Sequence, residues 1–475
     1  MKDNSKIIFY KNEDSQSQDV LNEDEKINYE ILNRKYGTFK SFLEKLSGRT
    51  IKELNESGNN IFVLSSLFKD DNDDIKDQVL LDCTFPTENK IICNTHNLIG
   101  FIGDDKTQIE IRTRFSGENE NSDYFLHYML SIVLSCNIVD MQVGKGIESA
   151  LDMMTLFFSG LLTKAVNQGV YKKYVKREYN DSNVRGTIDV SRHIRHNYPS
   201  NGRVAYNTRE YSYDNDVTQL IRHTIEYIKS KNEFGKKLLS ANENTKKCVE
   251  IITQITTTYQ KRNKRDVINA NQKPIVHPHY LHYTALQKLC LAILKGEKMS
   301  YDPNNKNKLN GFIIDVAWLW EEYVAKILST TNLNHYTRSN SSFHLLSNNG
   351  ATFQKIIPDY YDEEKRIVAD AKYTDLSEID NLSAERAAAI YYKTIMYMYR
   401  FNSKIGLLIH PIITNEVKDV EIIEYKIIGT DGKLCKVGIK IPSQCNDFSD
   451  FSEKMKEIES IVSNEIKTFI TNKND

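Results

Sequence analysis

Two features that define large classes of protein are missing from the sequence. Its longest apolar stretches, such as residues 128–136, are far too short to span a bilayer, and residues 1–10 lack the apolar core of a signal peptide. The phosphate-binding pattern G-x-x-x-x-G-K-[ST] does not occur, so we expect this chain itself to bind no nucleotide. The sequence therefore predicts a cytoplasmic protein without a membrane partner.

Paired cysteines and an excess of charge of one sign are also missing. The seven cysteines include no C-x-x-C pair, which favours free thiols in a reducing compartment over a disulfide framework or a structural zinc site. Lys and Arg total 63 and Asp and Glu total 64, so any surface that binds nucleic acid must be local. At 475 residues the chain is long enough for two or three domains.

Hydrophobic patterns that change along the chain predict an α/β (α+β) multidomain protein. Short apolar runs after residue 60 indicate strands, and apolar spacing of three and four residues over 122–136 and 147–168 indicates helices. The predicted parts are a polar, acidic leader with a first helix (1–59), a β-rich N-terminal domain (60–140), a mainly helical basic domain (141–305), a domain with the candidate catalytic residues (306–440) and a C-terminal helix (441–475).

The most basic part of the sequence is also rich in tyrosine. Residues 164–210 contain ten Lys and Arg against four Asp and Glu, with five tyrosines between them. Cationic groups pair with phosphate oxygens and aromatic rings pack flat, so the segment suits contact with DNA or with an acidic protein surface. A solvated charged face is the alternative. The candidate contact residues are Lys172, Lys173, Lys176, Arg177 and Arg185.

One Asp-x-Lys triplet differs from the others because a Pro-Asp pair precedes it. D-x-K itself occurs five times in the chain and indicates little alone. Pro-Asp occurs once, at Pro358-Asp359, eleven residues before Asp370. A polar turn lies between the two and joins strands predicted at 352–357 and 366–373. The two acidic positions are therefore expected on one hairpin.

Such a hairpin predicts a metal-dependent catalytic centre. Side chains alternate along a strand, so Asp370 and Lys372 share one face, and the partner strand brings Asp359 to the same edge. Two carboxylates and the Ala371 carbonyl make an all-oxygen site of the kind that Mg²⁺ prefers, with Mn²⁺ able to replace it. Such a metal polarises a phosphoryl oxygen, and Lys372 would orient or deprotonate the attacking water. A surface hairpin with incidental charges is the alternative.

The elements predicted around the hairpin fit an α/β nuclease core. A helix over 312–328 has Glu321 at the edge of its apolar face, either as a further metal ligand or water anchor or as a surface glutamate in a salt bridge. A second helix, capped by Ser383, runs to about Asn402, and a buried strand follows at 404–410. Helix, hairpin, helix and strand in this order predict a C-terminal PD-(D/E)xK, restriction-endonuclease-like core.

Several motifs resemble the McrC family, the nuclease subunits of McrBC-type and LlaJI-type restriction systems. They are the Arg185-Gly186 pair within residues 175–194, the W-E-x-Y-V ending of 314–324, the PD…DAKY pattern, and residues 392–397 with the following KIGLLIHP. The resemblance covers about 120–440 and is strongest in the last third. Similar nucleases carry Gln-x-x-x-Tyr on the helix after the catalytic strand, where this chain has Lys393 and Tyr397 as candidate DNA-backbone or partner contacts.

The resemblance implies a Mg²⁺-dependent endodeoxyribonuclease subunit of a GTP-dependent restriction system that cuts double-stranded DNA. It also implies a separate McrB-like AAA+ GTPase as partner, with the N-terminal half of this chain docking on that motor. The basic segment 164–210 would then meet either the motor or DNA. Two other functions stay open, namely a regulatory subunit that stimulates the GTPase without cutting, and a stand-alone repair-type nuclease.

Overall fold

The computed structural model describes most of the chain in segments. The described residues are 5–9, 16–19, 40–64, 77–87, 90–94, 96–104, 107–113, 115, 123–134, 150–231, 233–301, 309–336, 343–374, 376, 384–412 and 419–472. The predicted cap Ser383 and most of the predicted leader lie outside them. No helix among these segments is long and apolar enough to cross a membrane.

Strands and helices alternate irregularly along the described segments. In chain order the strands are β1 (Ser5–Phe9), β2 (Gln16–Asp19), β3 (Asn60–Val63), β4 (Asp82–Thr87), β5 (Lys90–Asn94), β6 (Leu98–Gly103), β7 (Thr107–Ile111), β8 (Lys173–Asp181), β9 (Thr187–Ile188), β10 (Val204–Ser212), β11 (Asn310–Asp315), β12 (Asn334–His335), β13 (Phe343–Asn348), β14 (Ala351–Ile356), β15 (Tyr360–Asp362), β16 (Ile367–Ala371), β17 (Ile405–Ile412), β18 (Val420–Lys426) and β19 (Lys433–Lys440). The helices are α1 (Ile51–Glu56), α2 (Tyr124–Leu134), α3 (Ala150–Gln168), α4 (Val190–Asn197), α5 (Asp216–Lys231), α6 (Glu233–Ala241), α7 (Glu243–Ile255), α8 (Lys264–Ala270), α9 (Leu281–Tyr301), α10 (Val316–Ile327), α11 (Ala384–Phe401) and α12 (Phe448–Asn472).

The chain forms two compact units. The first consists of residues 1–65, 72–146 and 311–475, and the second of 66–71 and 147–310. The β-rich region and the region of the candidate catalytic residues, predicted as separate domains, thus belong to one unit. Strand β11 is the physical reason, because it lies between β6 and β3 in a five-stranded sheet with the order β1-β7-β6-β11-β3.

The start of the helix predicted over 312–328 is wrong. Residues up to Asp315 form strand β11, and α10 begins at Val316. The Asp315 carboxylate accepts hydrogen bonds from the backbone N–H groups of Ala317 (3.0 Å) and Trp318 (3.2 Å), which caps the helix at this point. Asp315 therefore separates a strand buried in a sheet from the helix that follows it.

The smaller sheet of the first unit changes two expectations about the N-terminal part. It has the order β2-β5-β4, so part of the predicted polar leader is a strand. Cys83 on β4 is disulfide-bonded, and it stands opposite Cys93 of β5 in the antiparallel register. The expectation of free thiols is therefore wrong for Cys83, because the pairing of the neighbouring strands β4 and β5 sets two cysteine positions opposite each other.

The sheet that carries the candidate catalytic residues has six strands in the order β12-β15-β16-β17-β19-β18. Strands β16, β17 and β19 are parallel, and β15 and β18 pair with them antiparallel. Every residue of β17 is buried, as expected of a central parallel strand covered on both faces. The apolar cluster between this sheet and α11 includes Val368, Tyr397, Met398, Phe401 and Leu408.

The strand predicted at 352–357 does not pair with the D-x-K strand. It is β14, and it forms a separate two-stranded sheet with β13. The antiparallel partner of β16 is instead the short strand β15, immediately after Pro358-Asp359. The turn at Asn349-Gly350, where both residues have positive φ angles of 48° and 83°, directs β14 back onto β13.

The second unit combines helices with a three-stranded sheet. Helix α3 packs against α6, α7 and α9, and α9 also packs against α5. The basic segment predicted as mainly helical forms the sheet β8-β10-β9, with α4 inserted between β9 and β10. Exposed and half-buried residues alternate along most of β8, so the segment has the period of a strand. Tyr179 and Tyr206 stack at 5.5 Å on neighbouring strands.

Candidate active site

Asp359 and Asp370 face each other at the end of the β15–β16 hairpin. Tyr360 pairs with Ala369, so continuing the register by one residue sets Asp359 opposite Asp370. Both side chains are buried, at 5% and 0% exposure. The Asp359 carboxylate also accepts a hydrogen bond of 2.8 Å from the Ala371 backbone N–H. Two carboxyl groups predicted to converge are therefore brought together in a site with little access to water.

Burial and the neighbouring charges shift the pKa values of the two carboxyl groups in opposite directions. Burial, followed by the charges of Asp370 and Glu321, raises the pKa of Asp359 well above its usual value. Burial also opposes ionisation of Asp370, but the ammonium groups of Lys372 and Lys393 hold its pKa below its usual value. Burial and the neighbouring charges therefore favour the ionised form of Asp370 and the protonated form of Asp359.

Lys372 is the first of two lysines on the Asp370 carboxylate. Its ammonium group forms an ion pair with Oδ2 of Asp370, as expected for residues that alternate onto one face of a strand. Its backbone N–H donates to the Ile409 carbonyl of β17 at 2.8 Å, which fixes the chain just after β16. The side chain is 21% exposed, so it reaches from a buried carboxylate toward solvent.

Lys393 is the second lysine and comes from α11. Its Nζ lies 3.5 Å from Oδ1 of Asp370 and 5.5 Å from the centre of the Tyr397 ring, one helical turn away. Burial acts against its charge, but Asp370 and then Asp359 raise the pKa of Lys393 above its usual value. Burial raises the pKa of Tyr397 to about 12, so its hydroxyl stays protonated. Lys393 and Tyr397 thus belong to the site itself.

Glu321 lies near the pair rather than within it. It is a half-buried residue of α10, and its charge is close enough to raise the pKa of Asp359. The Tyr360 hydroxyl donates to the Glu321 backbone carbonyl, which attaches α10 to β15. Among the described residues, no group of three His, Cys, Asp or Glu side chains is arranged to hold a metal ion. Glu321 is thus a neighbour of the two aspartates, and its role as a further metal ligand stays a prediction.

The donor atoms at the two aspartates fit a hard divalent cation. They are carboxylate oxygens from adjacent strands, and Mg²⁺ is commonly bound through one or two carboxylates while it keeps several waters. Two buried carboxyl groups in direct opposition repel each other when both are ionised, and a cation between them removes that repulsion. Softer metals prefer thiolate or imidazole ligands, whereas the two aspartates offer carboxylate oxygens.

Buried polar residues support the loop that follows the Asp370 strand. The His410 ring accepts a hydrogen bond of 3.1 Å from the Leu376 backbone N–H, and Lys436 donates to the Leu376 carbonyl at 3.0 Å. Both side chains are nearly inaccessible, at 2% and 4% exposure. Sequence reasoning missed these two residues, because their contacts join strands that are far apart in sequence. They hold the chain segment that carries Lys372.

The candidate contact residues of the basic segment lie in the second unit and are mostly occupied by its own groups. Lys173 forms an ion pair with Asp216 at 3.0 Å, and Arg177 lies 3.8 Å from Asp214. Further contacts are with tyrosine rings: Lys172 lies over Tyr211 and Tyr213, and Arg185 lies over Tyr179. Lys176 is exposed on β8. Much of the positive charge counted in the sequence is therefore compensated inside the unit.

Beside these cations the second unit exposes an apolar surface that sequence patterns did not lead us to expect. Arg192 binds α4 to the sheet through Glu178 (2.6 Å) and the Tyr206 carbonyl (2.7 Å). The opposite side of α4 and its flanks are exposed. We name the apolar residues there the α4 patch; with their exposed fractions they are Ile188 (49%), Val190 (62%), Ile194 (60%) and Tyr198 (84%). The spacing of Val190 and Ile194, one helical turn apart, is the sequence signal for such a face.

Comparisons with known proteins give one family. A model described as McrBC 5-methylcytosine restriction system component matches residues 93–411, about two thirds of the chain. No curated protein matches the chain at a significant level. One similar solved structure is a refined half-complex from a tetradecameric assembly of Thermococcus gammatolerans McrB AAA+ hexamers with bound McrC, 16% identical, covering 96% of this chain and 100% of that chain, with a TM-score of 0.47. Another is the cryo-EM structure of the Thermococcus gammatolerans McrBC complex, 14% identical, covering 69% and 88%, with a TM-score of 0.34.

Proposed function

Because the chain belongs to the family of McrBC 5-methylcytosine restriction system components, we propose that it is the nuclease subunit of such a system. The proposed reaction is Mg²⁺-dependent hydrolysis of phosphodiester bonds in double-stranded DNA, on a PD-(D/E)xK core. The observation that carries the proposal is the buried Asp359–Asp370 pair with two lysines on Asp370. Such a cluster of opposed and paired charges has no packing benefit, so a catalytic role explains it best.

We propose a role in this reaction for each residue of the site. Asp359, Asp370 and the Ala371 carbonyl would hold the cation, with Glu321 as a neighbour that orients bound water. When bound, the cation supplies charge stabilisation at the phosphoryl oxygens and lowers the pKa of water. Lys372, at the mouth of the site, would orient the attacking water. Lys393 would contact the DNA backbone, with the Tyr397 ring beside its ammonium group.

The chain's own D-x-K triplets provide a matched test of the catalytic assignment. Asp370→Asn and Lys372→Met are expected to abolish DNA cleavage, because each removes a charge from the buried cluster. Asp431→Asn and Lys433→Met alter a second D-x-K triplet of the same unit, with Asp431 exposed and Lys433 in an ion pair with Glu424 at the start of β19, and should cut like the wild type. Cleavage that survives Asp370→Asn at the wild-type rate would reject the proposal.

We further propose that the partner is an AAA+ GTPase of the McrB type. The sequence carries no phosphate-binding loop of its own, so nucleotide hydrolysis in such a system requires another chain. The α4 patch supports protein docking in the second unit, because apolar residues there are exposed while the cations beside them are paired with carboxylates. Cleavage by this chain with Mg²⁺ alone would instead indicate a stand-alone nuclease. GTP hydrolysis that rises while all DNA stays intact would indicate a non-cutting regulator.

A further inference from the structure

The β13–β14 hairpin extends from the first unit as a two-stranded sheet of its own. Its strands pair in antiparallel register from Phe343–Ile356 to Asn348–Ala351. All ten residues from 346 to 355 are exposed, on both faces of the hairpin. A two-stranded hairpin without support on either face is only marginally stable in water. The exposed half of the hairpin, residues 346–355, therefore depends for its stability on the contacts of the hairpin base.

The base of the hairpin is fixed to the catalytic sheet and to α11. Ile356 is buried in the apolar cluster with Val368 and Leu408 of the catalytic strands. Phe343 packs edge-on against Phe401 of α11 at 4.8 Å, and Arg400 donates to the His344 carbonyl at 2.6 Å. The hairpin is thus a rigid extension of the same elements that position the candidate site.

The exposed half carries one apolar cross-strand pair. Leu346 and Phe353 are opposite each other in the register, at 59% and 50% exposure. Their neighbours toward the tip are small or polar, namely Ser347, Asn348, Ala351 and Thr352. A leucine and a phenylalanine kept in water on a projecting hairpin have no function in the core of this unit. They are available to a ligand.

Helix α11 fixes the separation between this hairpin and the candidate active site. Lys393 contacts Asp370, and Arg400, seven residues later, contacts the hairpin base. Seven residues of α-helix span about 10 Å, and two turns return to nearly the same face. DNA rises about 3.4 Å per base pair, so on a duplex that runs along α11 this distance would correspond to about three base pairs.

The charges on this surface suit DNA. Residues 343–356 contain no Asp or Glu, and they include His344 and Lys355. Helix α11 adds Arg400 beside the hairpin base, and Lys393 beside the Asp370 carboxylate. The apolar pair is far smaller than the 20–30 residues per side of an ordinary protein interface. A small apolar pair beside Lys355 and Arg400 matches an apolar wedge that enters the base stack while cations bind the phosphates.

We propose that the β13–β14 hairpin is a DNA-contacting wedge, in which Phe353 and Leu346 press between bases a few base pairs away from the bond that is cut. The inference rests on the proposed nuclease function and adds a second contact to the same DNA. Insertion of an apolar side chain unstacks a base step, so a duplex that is already weakened at that step is bound more tightly.

The test uses the full chain with Asp370→Asn, in EDTA, so that DNA is bound without being cut. Anisotropy of two fluorescein-labelled duplexes, one intact and one with a mismatched central step, gives the two affinities. We expect the chain with the unaltered hairpin to bind the mismatched duplex more tightly than the intact one. Phe353→Ala should weaken binding about tenfold and remove most of the preference, whereas Phe353→Tyr should keep both, because stacking survives. Ile428→Ala changes an exposed apolar residue elsewhere in the unit and serves as the control.

Two results would overturn the wedge. One is that the chain with the unaltered hairpin shows no preference for the mismatched duplex. The other is that Phe353→Ala and Ile428→Ala bind DNA with equal affinity. Each leaves the proposed nuclease function standing as long as cleavage still depends on Asp370, so the two failures are distinguishable.

Discussion

The ammonium group of Lys393 lies 3.5 Å from Oδ1 of Asp370, on the same carboxylate that pairs with Lys372 through Oδ2. The two lysines come from different elements, α11 and the end of β16. A divalent cation that uses Asp370 has to compete with at least one of them. Because Lys393 is about half exposed, it is the lysine that can turn away toward a phosphate.

Lys393→Gln is expected to strengthen Mg²⁺ binding and to lower the rate of DNA cleavage. Loss of a competing cation should lower the Mg²⁺ concentration for half-maximal cleavage by about threefold to tenfold, since one nearby positive charge is removed from a partly exposed site. The cleavage rate at saturating Mg²⁺ should fall, because a DNA-backbone contact is lost. Cleavage measured over a Mg²⁺ titration gives both quantities. Lys426→Gln, at an exposed position of β18, should change neither.

Asp359 makes the stability of the metal-free protein depend on pH. Burial and the neighbouring charges of Asp370 and Glu321 raise its pKa well above its usual value, so the folded chain binds this proton more tightly than the unfolded chain. The stability linked to it is fully present below about pH 4 and is lost as the pH rises through the raised pKa. Asp359→Asn should therefore unfold at a higher temperature than the wild type in EDTA at alkaline pH, but not at about pH 4. Equal midpoints at every pH would contradict this.

Mg²⁺ should stabilise the folded wild-type chain through the same two carboxylates. A ligand that binds only the folded state adds about 2.7 kcal/mol at a hundredfold excess over its Kd. Thermal unfolding with Mg²⁺ and with EDTA measures the shift. Asp370→Asn should lose the shift and Asp431→Asn should keep it, because only the first of these D-x-K triplets contains a buried carboxylate opposite a second one. A shift that persists in Asp370→Asn would place the cation elsewhere.

The acidic residues and the lysine of the β15–β16 hairpin could be predicted from the sequence. The buried residues that hold the following loop could not. Alternation along one strand is enough to pair Asp370 with Lys372, and the single Pro-Asp identifies Asp359. His410 and Lys436 reach the same loop from strands that follow more than thirty residues later, so no local pattern indicates them. Lys393 was predicted as a DNA or partner contact, and only the packing of α11 shows that it also touches Asp370.

The errors in the predicted fold have the same origin. Residues 312–315 continue the apolar spacing of α10, but they are a strand because β6 and β3 supply its hydrogen bonds. The strand at 352–357 was assigned to the wrong partner although Asn349-Gly350, a strong hairpin signal, stands just before it. Alternation over 173–181 also indicated a strand, but the charge of the segment was given more weight than its period.

Hydrogen bonds attach the C-terminal helix to α10, one between Tyr323 and Glu459 and another from the Ser463 hydroxyl to the Ile327 carbonyl (3.1 Å). The Tyr323 hydroxyl donates to Oε1 of Glu459 at 2.7 Å, and burial raises the pKa of this glutamate. Glu459→Ala should destabilise the chain by about 1–3 kcal/mol, because it leaves a buried hydroxyl without its acceptor. Glu459→Gln should cost less, since an acceptor oxygen remains. Denaturant unfolding measures the loss, and Glu457→Ala, at an exposed position of the same helix, should be nearly neutral.

The α4 patch and the cations of β8 predict opposite results for the partner of the basic segment. If the patch docks on the AAA+ GTPase, Ile194→Asp should lower the stimulation of GTP hydrolysis at least tenfold, because a charge is placed in an apolar interface. DNA binding by the chain alone should be unchanged. Lys176→Ala, on the exposed side of β8, should leave both unchanged. If the segment binds DNA instead, Lys176→Ala should lower the affinity for DNA and make that affinity less dependent on salt concentration. Ile194→Asp should then leave the stimulation of GTP hydrolysis unchanged. Measuring both activities for both variants decides between the two partners.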